Sequence, residues 1–172
     1  VRRAGIYSEI LPFSSDPDQL SSKPQGIILS GGPESVYAGK APQPSSKWLD
    51  LGVPILGICY GMQWLNHFHG GKMLHGVNHS GEYGEIEVKL TSDHALFDGI
   101  DKKIVSWMSH GDSIDEKGLA KDFKIIAQTS NHVAAISSPL KKFYGVQFHP
   151  EVSHMPTGQQ ILVNFLRRIC NC

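Results

Sequence analysis

Pro54-Ile55-Leu56-Gly57-Ile58-Cys59-Tyr60-Gly61-Met62-Gln63 is an apolar run that ends in Gly-x-Cys-x-Gly. A cysteine in that setting is mounted on a sharp strand-to-helix turn, where flanking glycines let the backbone fold tightly and keep Cβ atoms clear of the thiol. Cys59 is therefore the candidate nucleophile. The helix that follows directs unpaired N–H groups and its positive dipole end towards the sulfur, which favours thiolate over thiol.

A nucleophile of this kind needs a base, and Phe143-Tyr144-Gly145-Val146-Gln147-Phe148-His149-Pro150-Glu151-Val152 supplies one. Residues two apart in extended chain project the same way, and Pro150 holds His149 out of the helical region, so His149 and Glu151 lie side by side. Glu151 can then accept from one ring nitrogen while the other faces Cys59, giving nucleophile, base and orienting carboxylate. Taken singly, a cysteine ending an apolar strand is usually packing and a His-Pro-Glu is usually a polar turn. Their order and wide separation together suit a catalytic cysteine with a distant histidine.

Gly26-Ile27-Ile28-Leu29-Ser30-Gly31-Gly32-Pro33-Glu34-Ser35 is another short apolar strand running into a glycine turn, whose bare N–H groups can converge on an anion. It lacks the Lys-Ser/Thr of a phosphate loop and the spacing of a dinucleotide fingerprint, which disfavours nucleotide binding.

With Trp107-Met108-Ser109-His110-Gly111-Asp112 added, four blocks spanning most of the chain resemble the triad, or class I, glutamine amidotransferase family. The elbow and His-Pro-Glu are shared across that family, whereas Tyr60-Gly61-Met62-Gln63 and Met108-Ser109-His110-Gly111-Asp112 resemble the forms in its GMP-synthesising branch. The resemblance implies a triad of Cys59, His149 and Glu151, and an oxyanion hole from the backbone N–H groups of Gly32 and Tyr60. It also implies that Gln63, Ser109, His110, Gly111 and Asp112 hold L-glutamine, with the His110 imidazole structural.

The resemblance also implies partners. Ammonia released here passes to a synthetase, or ATP-pyrophosphatase, domain on the same chain or on a separate partner chain. ATP, Mg²⁺ and XMP bind there, with no cofactor in residues 1–172, and a homodimer forms through that absent domain. The synthetase domain is expected to follow residue 172, since the stretch Arg167–Cys172 resembles the lead into it. Val1–Ile6 resembles the close of a first helix, so an opening strand and most of that helix are expected upstream. A fragment starting at Val1 is then expected to aggregate, because Ile6–Leu11 and Ile27–Leu29 need a neighbour that this sequence does not provide.

Composition fits an enzyme of one domain: 172 residues, with 16 Lys plus Arg against 16 Asp plus Glu. No global field recruits nucleic acid or a membrane, and neither a spanning apolar run nor a signal peptide is visible. Three cysteines make no disulfide framework, and a working thiol suits the reducing cytoplasm. Two thiols, Cys170 and Cys172, cannot complete a tetrahedral metal site. His67, His69, His75, His79, His94 and His154 lack ligand spacing and read as surface residues.

Apolar strands alternating with helices and glycine turns predict an open, largely parallel α/β sheet with helices on both faces and a small antiparallel section. Strands are expected at Ile6–Leu11, Ile27–Leu29, Val53–Ile58 and Tyr144–Phe148, and helices at Tyr60–His69 and Gly158–Ile169. Shorter antiparallel strands are expected at Glu85–Leu90, Ile104–Met108, Lys124–Gln128 and Val133–Ser137. The site blocks follow strands, where open α/β sheets place their ligands. Two other function classes fit the same residues: a free-standing hydrolase such as a γ-glutamyl hydrolase or cysteine peptidase, and a non-catalytic module descended from the enzyme. An amidotransferase subunit of another pathway is a further variant.

Overall fold

A computed structural model describes residues 1–75 and 81–172. Its sheet has seven strands: β1 (Ile27–Leu29), β2 (Ile55–Ile58), β3 (Glu82–Leu90), β4 (Lys103–His110), β5 (Lys124–Gln128), β6 (Val133–Ser138) and β7 (Phe143–Val146). Their spatial order is β1-β2-β7-β6-β5-β3-β4. The parallel pairings join β1, β2 and β7, and the antiparallel section runs from β7 through β6, β5 and β3 to β4. The mixed α/β sheet expected from the sequence is present, and its antiparallel section, reaching from β7 to β4, is larger than the small one expected.

Strand β2 is apolar throughout because both of its faces are covered. Ile55 joins the core layer that holds Met62, Trp64 and Leu65 of helix α2 (Tyr60–Phe68), against which Leu49 of the short helix α1 (Lys47–Asp50) packs. Leu56 and Ile58 point the other way, into a layer with Ile161 and Leu162 of α3 (Gly158–Asn164) and Phe165 beyond it. The alternation of a pleated strand thus sorts one short run between two helical layers. Burial of Met62 and Leu65, both fully inside, contributes about 1.5–3 kcal/mol each.

Helix α2 is seated unusually close to the sheet. Gly57 and Gly145 pair across β2 and β7, leaving a bare patch beneath it. A Cβ at Gly57 would lie 2.4 Å from the Gly61 carbonyl carbon, and one at Gly145 would lie 2.7 Å from Met62 Cγ. Glycine is required at both because backbone and side chain already fill the space.

Most elements fall where sequence patterning puts them, with ends shifted by a few residues. The Gly158–Ile169 helix divides into α3 and a π-helical turn over Phe165–Ile169. The expected strand at Ile6–Leu11 is absent. That segment pairs with no strand, and Tyr7 and Ile10 stand 82% and 91% exposed. Strand structure comes from ladder bonds to a neighbour, and apolar residues alone cannot supply them. Among the described residues no helix is long and apolar enough to cross a membrane.

Candidate active site

Cys59 stands between β2 and α2 with φ 50° and ψ −106°. Its N–H donates to Val146 O at 2.8 Å, extending the sheet, while its carbonyl accepts from Gln63 N–H at 3.1 Å, opening the helix. Serving both elements forces the left-handed φ, which costs on the order of 1–3 kcal/mol and holds the thiol at the strand end. Sγ lies 3.8 Å from the Ser109 carbonyl and 3.5 Å from Gln147 Nε2.

The glycine turn after β1 closes one side. A Cβ at Gly31 would lie 3.0 Å from His149 Cε1, tighter than an ordinary contact, and 3.5 Å from Cys59 Cβ, an ordinary one, so glycine here leaves room for the His149 ring. Gly32 lies beside Tyr60, where a Cβ would meet Tyr60 Cγ at 3.8 Å. The Tyr60 hydroxyl donates to Pro42 O at 2.5 Å and pins that side of the elbow.

His149 follows β7, and its N–H donates to Trp107 O at 3.0 Å, tying the loop to β4. Its Nδ1 lies 2.7 Å from Glu151 Oε1. A carboxylate can only accept here, so Nδ1 carries the proton and Nε2 is left for Cys59. Hydrogen bonding to Cys59, then to Glu151, raises His149 from its ordinary 6.5 to about 10, against the opposing effect of burial. Burial pushes the Glu151 carboxyl up, but the His149 bond and charge outweigh it and hold it below the usual range.

These shifts set a pH dependence. A raised histidine stabilises the fold fully below its unfolded value near 6.5 and loses that contribution as pH rises through about 10. Glu151→Gln keeps the shape and removes the charge. The His149 midpoint should fall below that of the native protein, as followed by NMR titration of its ring protons. An unchanged midpoint would show that Glu151 does not hold the imidazolium.

The remaining predicted site residues form a turn at the end of β4. Ser109 is exposed with its carbonyl towards Cys59, and Gly111 is exposed beside the Tyr83 hydroxyl. His110 is buried, with Nδ1 donating to Asp112 O at 2.8 Å and Nε2 lying 3.5 Å from Glu82 Oε2. Burial works to raise Glu82, but His110, Thr129 and His132 outweigh it and hold the carboxyl low. Asp112 is buried; its carboxylate takes a hydrogen bond from Ser35 and lies 2.5 Å from His75 Nδ1. Gln63 is also buried, with Nε2 donating to Asp112 O at 2.9 Å and to Gln147 Oε1 at 3.2 Å.

The structure therefore brings Gly31, Gly32, Cys59, Tyr60, Ser109, His149 and Glu151 together. Gln63 and the Asp112 side chain are engaged within the protein. His75 is exposed, as read from the sequence, and its Nδ1 also reaches Asp112; His79 lies outside the described residues. Gln147 and the Ser35–Asp112–His75 contacts are additions that spacing alone does not reveal. Among the described residues no group of three or more His, Cys, Asp and Glu side chains could hold a metal ion. Burial pushes the Cys170 thiol up to about 12, unlike a reactive or ligating cysteine.

A strained cysteine at a strand-to-helix elbow, with a His-Glu pair following a parallel neighbour, is thus the candidate site of this chain. Residues 1–169 match the model of the family described as glutamine amidotransferase class-I, and the chain belongs to that family. It is 44% identical over its whole length to the GMP synthase [glutamine-hydrolyzing] of Caldanaerobacter subterraneus, and 47% to that of Acetivibrio thermocellus. In each case it spans 33% of the relative's length. A candidate GMP synthase component from Thermoplasma acidophilum superposes with TM-score 0.79 at 28% identity, covering 99% of this chain and 84% of that one. A glutamine amidotransferase from Thermotoga maritima shares the fold, with TM-score 0.76 at 19% identity over 94% of this chain and 84% of that one.

Proposed function

We propose that this chain is the glutaminase unit of a cytoplasmic GMP synthase and releases ammonia from L-glutamine. One observation carries the reading: Glu151 occupies His149 Nδ1, leaving Nε2 for a cysteine held at φ 50° at the start of α2. That arrangement supports acyl transfer through sulfur.

Cys59 Sγ attacks the amide carbon of glutamine, and the backbone N–H groups of Gly32 and Tyr60 stabilise the oxyanion, each such donor being worth ~2.7–4 kcal/mol. His149, held as imidazolium, gives its proton to the leaving nitrogen, and ammonia departs from a γ-glutamyl thioester on Cys59. His149 then takes a proton from water attacking the acyl carbon. The C–S bond breaks with its electron pair on sulfur, and glutamate leaves. Ser109, His110, Gly111 and Asp112 form the turn against which the amino-acid end of glutamine lies.

The ammonia is used by a synthetase unit that converts XMP to GMP with ATP and Mg²⁺; the family resemblance extends this to a homodimer through that unit. The threefold greater length of the relatives supports such a second unit. The experiment is an assay of glutamate release by the full protein from free L-glutamine, with γ-glutamyl peptides as competitors. Preference for free glutamine, with release stimulated by XMP and ATP, is the expected result. Preference for γ-glutamyl peptides without stimulation would assign a free-standing hydrolase instead.

A further inference from the structure

The side chain of Gln147 is fully buried and lies between two site residues. Its Nε2 is 3.5 Å from Cys59 Sγ, a normal reach for the larger sulfur atom, and its Oε1 is 3.2 Å from Gln63 Nε2. Amide oxygens and nitrogens look alike in shape, so the direction of such a chain has to be argued from a group that cannot be reversed. Here that group is the Asp112 carbonyl, which only accepts. It lies 2.9 Å from the Gln63 amide end, which must therefore be the nitrogen. The other proton of that NH₂ faces Gln147, so the Gln147 atom it meets must be oxygen, and the atom facing sulfur must be the N–H donor. The Gln147 main chain is fixed as well, its N–H donating to Ala134 O at 2.8 Å.

We propose that Gln147 is a catalytic residue that donates a hydrogen bond to the Cys59 sulfur, and that Gln63 is the positioning residue that sets its direction. Gln63 is thereby assigned to the protein's own network, with both amide protons occupied. The donor acts where charge sits on sulfur: in the free thiolate before attack, and again when the thioester C–S bond breaks and the electron pair returns to Sγ. During the thioester stage the sulfur carries no charge and the bond weakens, so Gln147 favours the ends of the cycle over the intermediate. The Ser109 carbonyl at 3.8 Å works in the opposite sense, since it can only accept from a protonated thiol.

The inference rests on the glutaminase reading for its place in a reaction, but its test does not. The full protein is treated with iodoacetamide across a pH series, and carboxamidomethylation of the Cys59 peptide is followed by mass spectrometry without glutamine. Gln147→Met keeps the volume and removes the donor. It should move the half-maximal alkylation pH upwards, lower the rate at neutral pH about ten- to a hundredfold, and reduce glutamate release alongside. Gln63→Met leaves the Gln147 amide free to turn and should give a smaller shift in the same direction. Combined with Gln147→Met it should add little further, because both act through one hydrogen bond. Should Gln147→Met lose its cooperative melt, Gln147→Leu carries the same comparison. An alkylation profile unchanged in a folded Gln147 variant overturns the proposal, and full additivity of the two changes overturns the relay. Wild-type protein that fails to release glutamate while these shifts appear would remove the glutaminase reading and leave the Gln147–sulfur contact standing.

Discussion

Cys59→Ala should lower glutamate release from glutamine by about 10⁴-fold or more, the scale on which loss of a nucleophile in a triad is felt. The fold should survive. The cysteine makes its structural bonds through the backbone, to Val146 O and from Gln63 N–H, and alanine retains both. If the complete protein is the proposed GMP synthase, its synthesis from added ammonia should continue at near the native rate, because in that proposal Sγ acts only on glutamine. A parallel assay with glutamine and with ammonium salt as nitrogen donor checks this. Equal loss of both activities would place Cys59 in a role other than nucleophile.

The second large effect is structural and concerns Gly61. A Cβ there would sit 2.2 Å from Leu29 O and 2.8 Å from the Leu29 side chain, inside any tolerable contact. The carbonyl belongs to β1 and cannot turn aside without breaking a pairing with β2. Gly61→Ala should therefore push the first turn of α2 off the sheet, costing about 3 kcal/mol, the upper part of the usual overpacking range. Since that turn begins at Cys59, glutaminase activity should fall with stability. Gly111→Ala is the control: its Cβ would meet only the Tyr83 hydroxyl, at 3.5 Å, an ordinary contact. Chemical denaturation of the two variants measures the difference. A Gly61→Ala protein as stable as the native one would mean that α2 is seated less tightly than these distances imply.

Both results bear on how far residue order alone reaches into such a molecule. The elbow is legible because its demands are local: an apolar strand, two glycines that leave room for a turn, and a nucleophile between them. His149 and Glu151 are legible for the same reason, since a two-residue spacing across Pro150 fixes their relation. Gln147 lies in the same block, yet its contact with Sγ spans 88 positions of sequence and depends on β2 and β7 being neighbours. His75 and Ser35 reach Asp112 from separate loops, and no periodicity announces that meeting. Ile6–Leu11 shows the converse, where apolar residues suggest a strand and no strand lies beside them to pair with.

His149 joins the chemistry to the fold. Its raised value near 10 means that the imidazolium persists across the neutral range, so in the proposed reaction the proton for the departing ammonia is in place before glutamine arrives. The Gly31 and Gly32 turn then has to approach both the imidazole and Cys59 closely, and glycine at Gly31 leaves that room. Strand ends, glycine turns and the elbow all converge on one sulfur atom.

Covalent capture on that sulfur is the most direct test. The full protein is mixed with radiolabelled L-glutamine, quenched in acid during turnover and digested, and the label is located by peptide mapping. A γ-glutamyl group is expected on the peptide containing Cys59 and absent from Cys59→Ala. Label on a different side chain, in protein that is turning glutamine over, would contradict a cysteine nucleophile at the elbow.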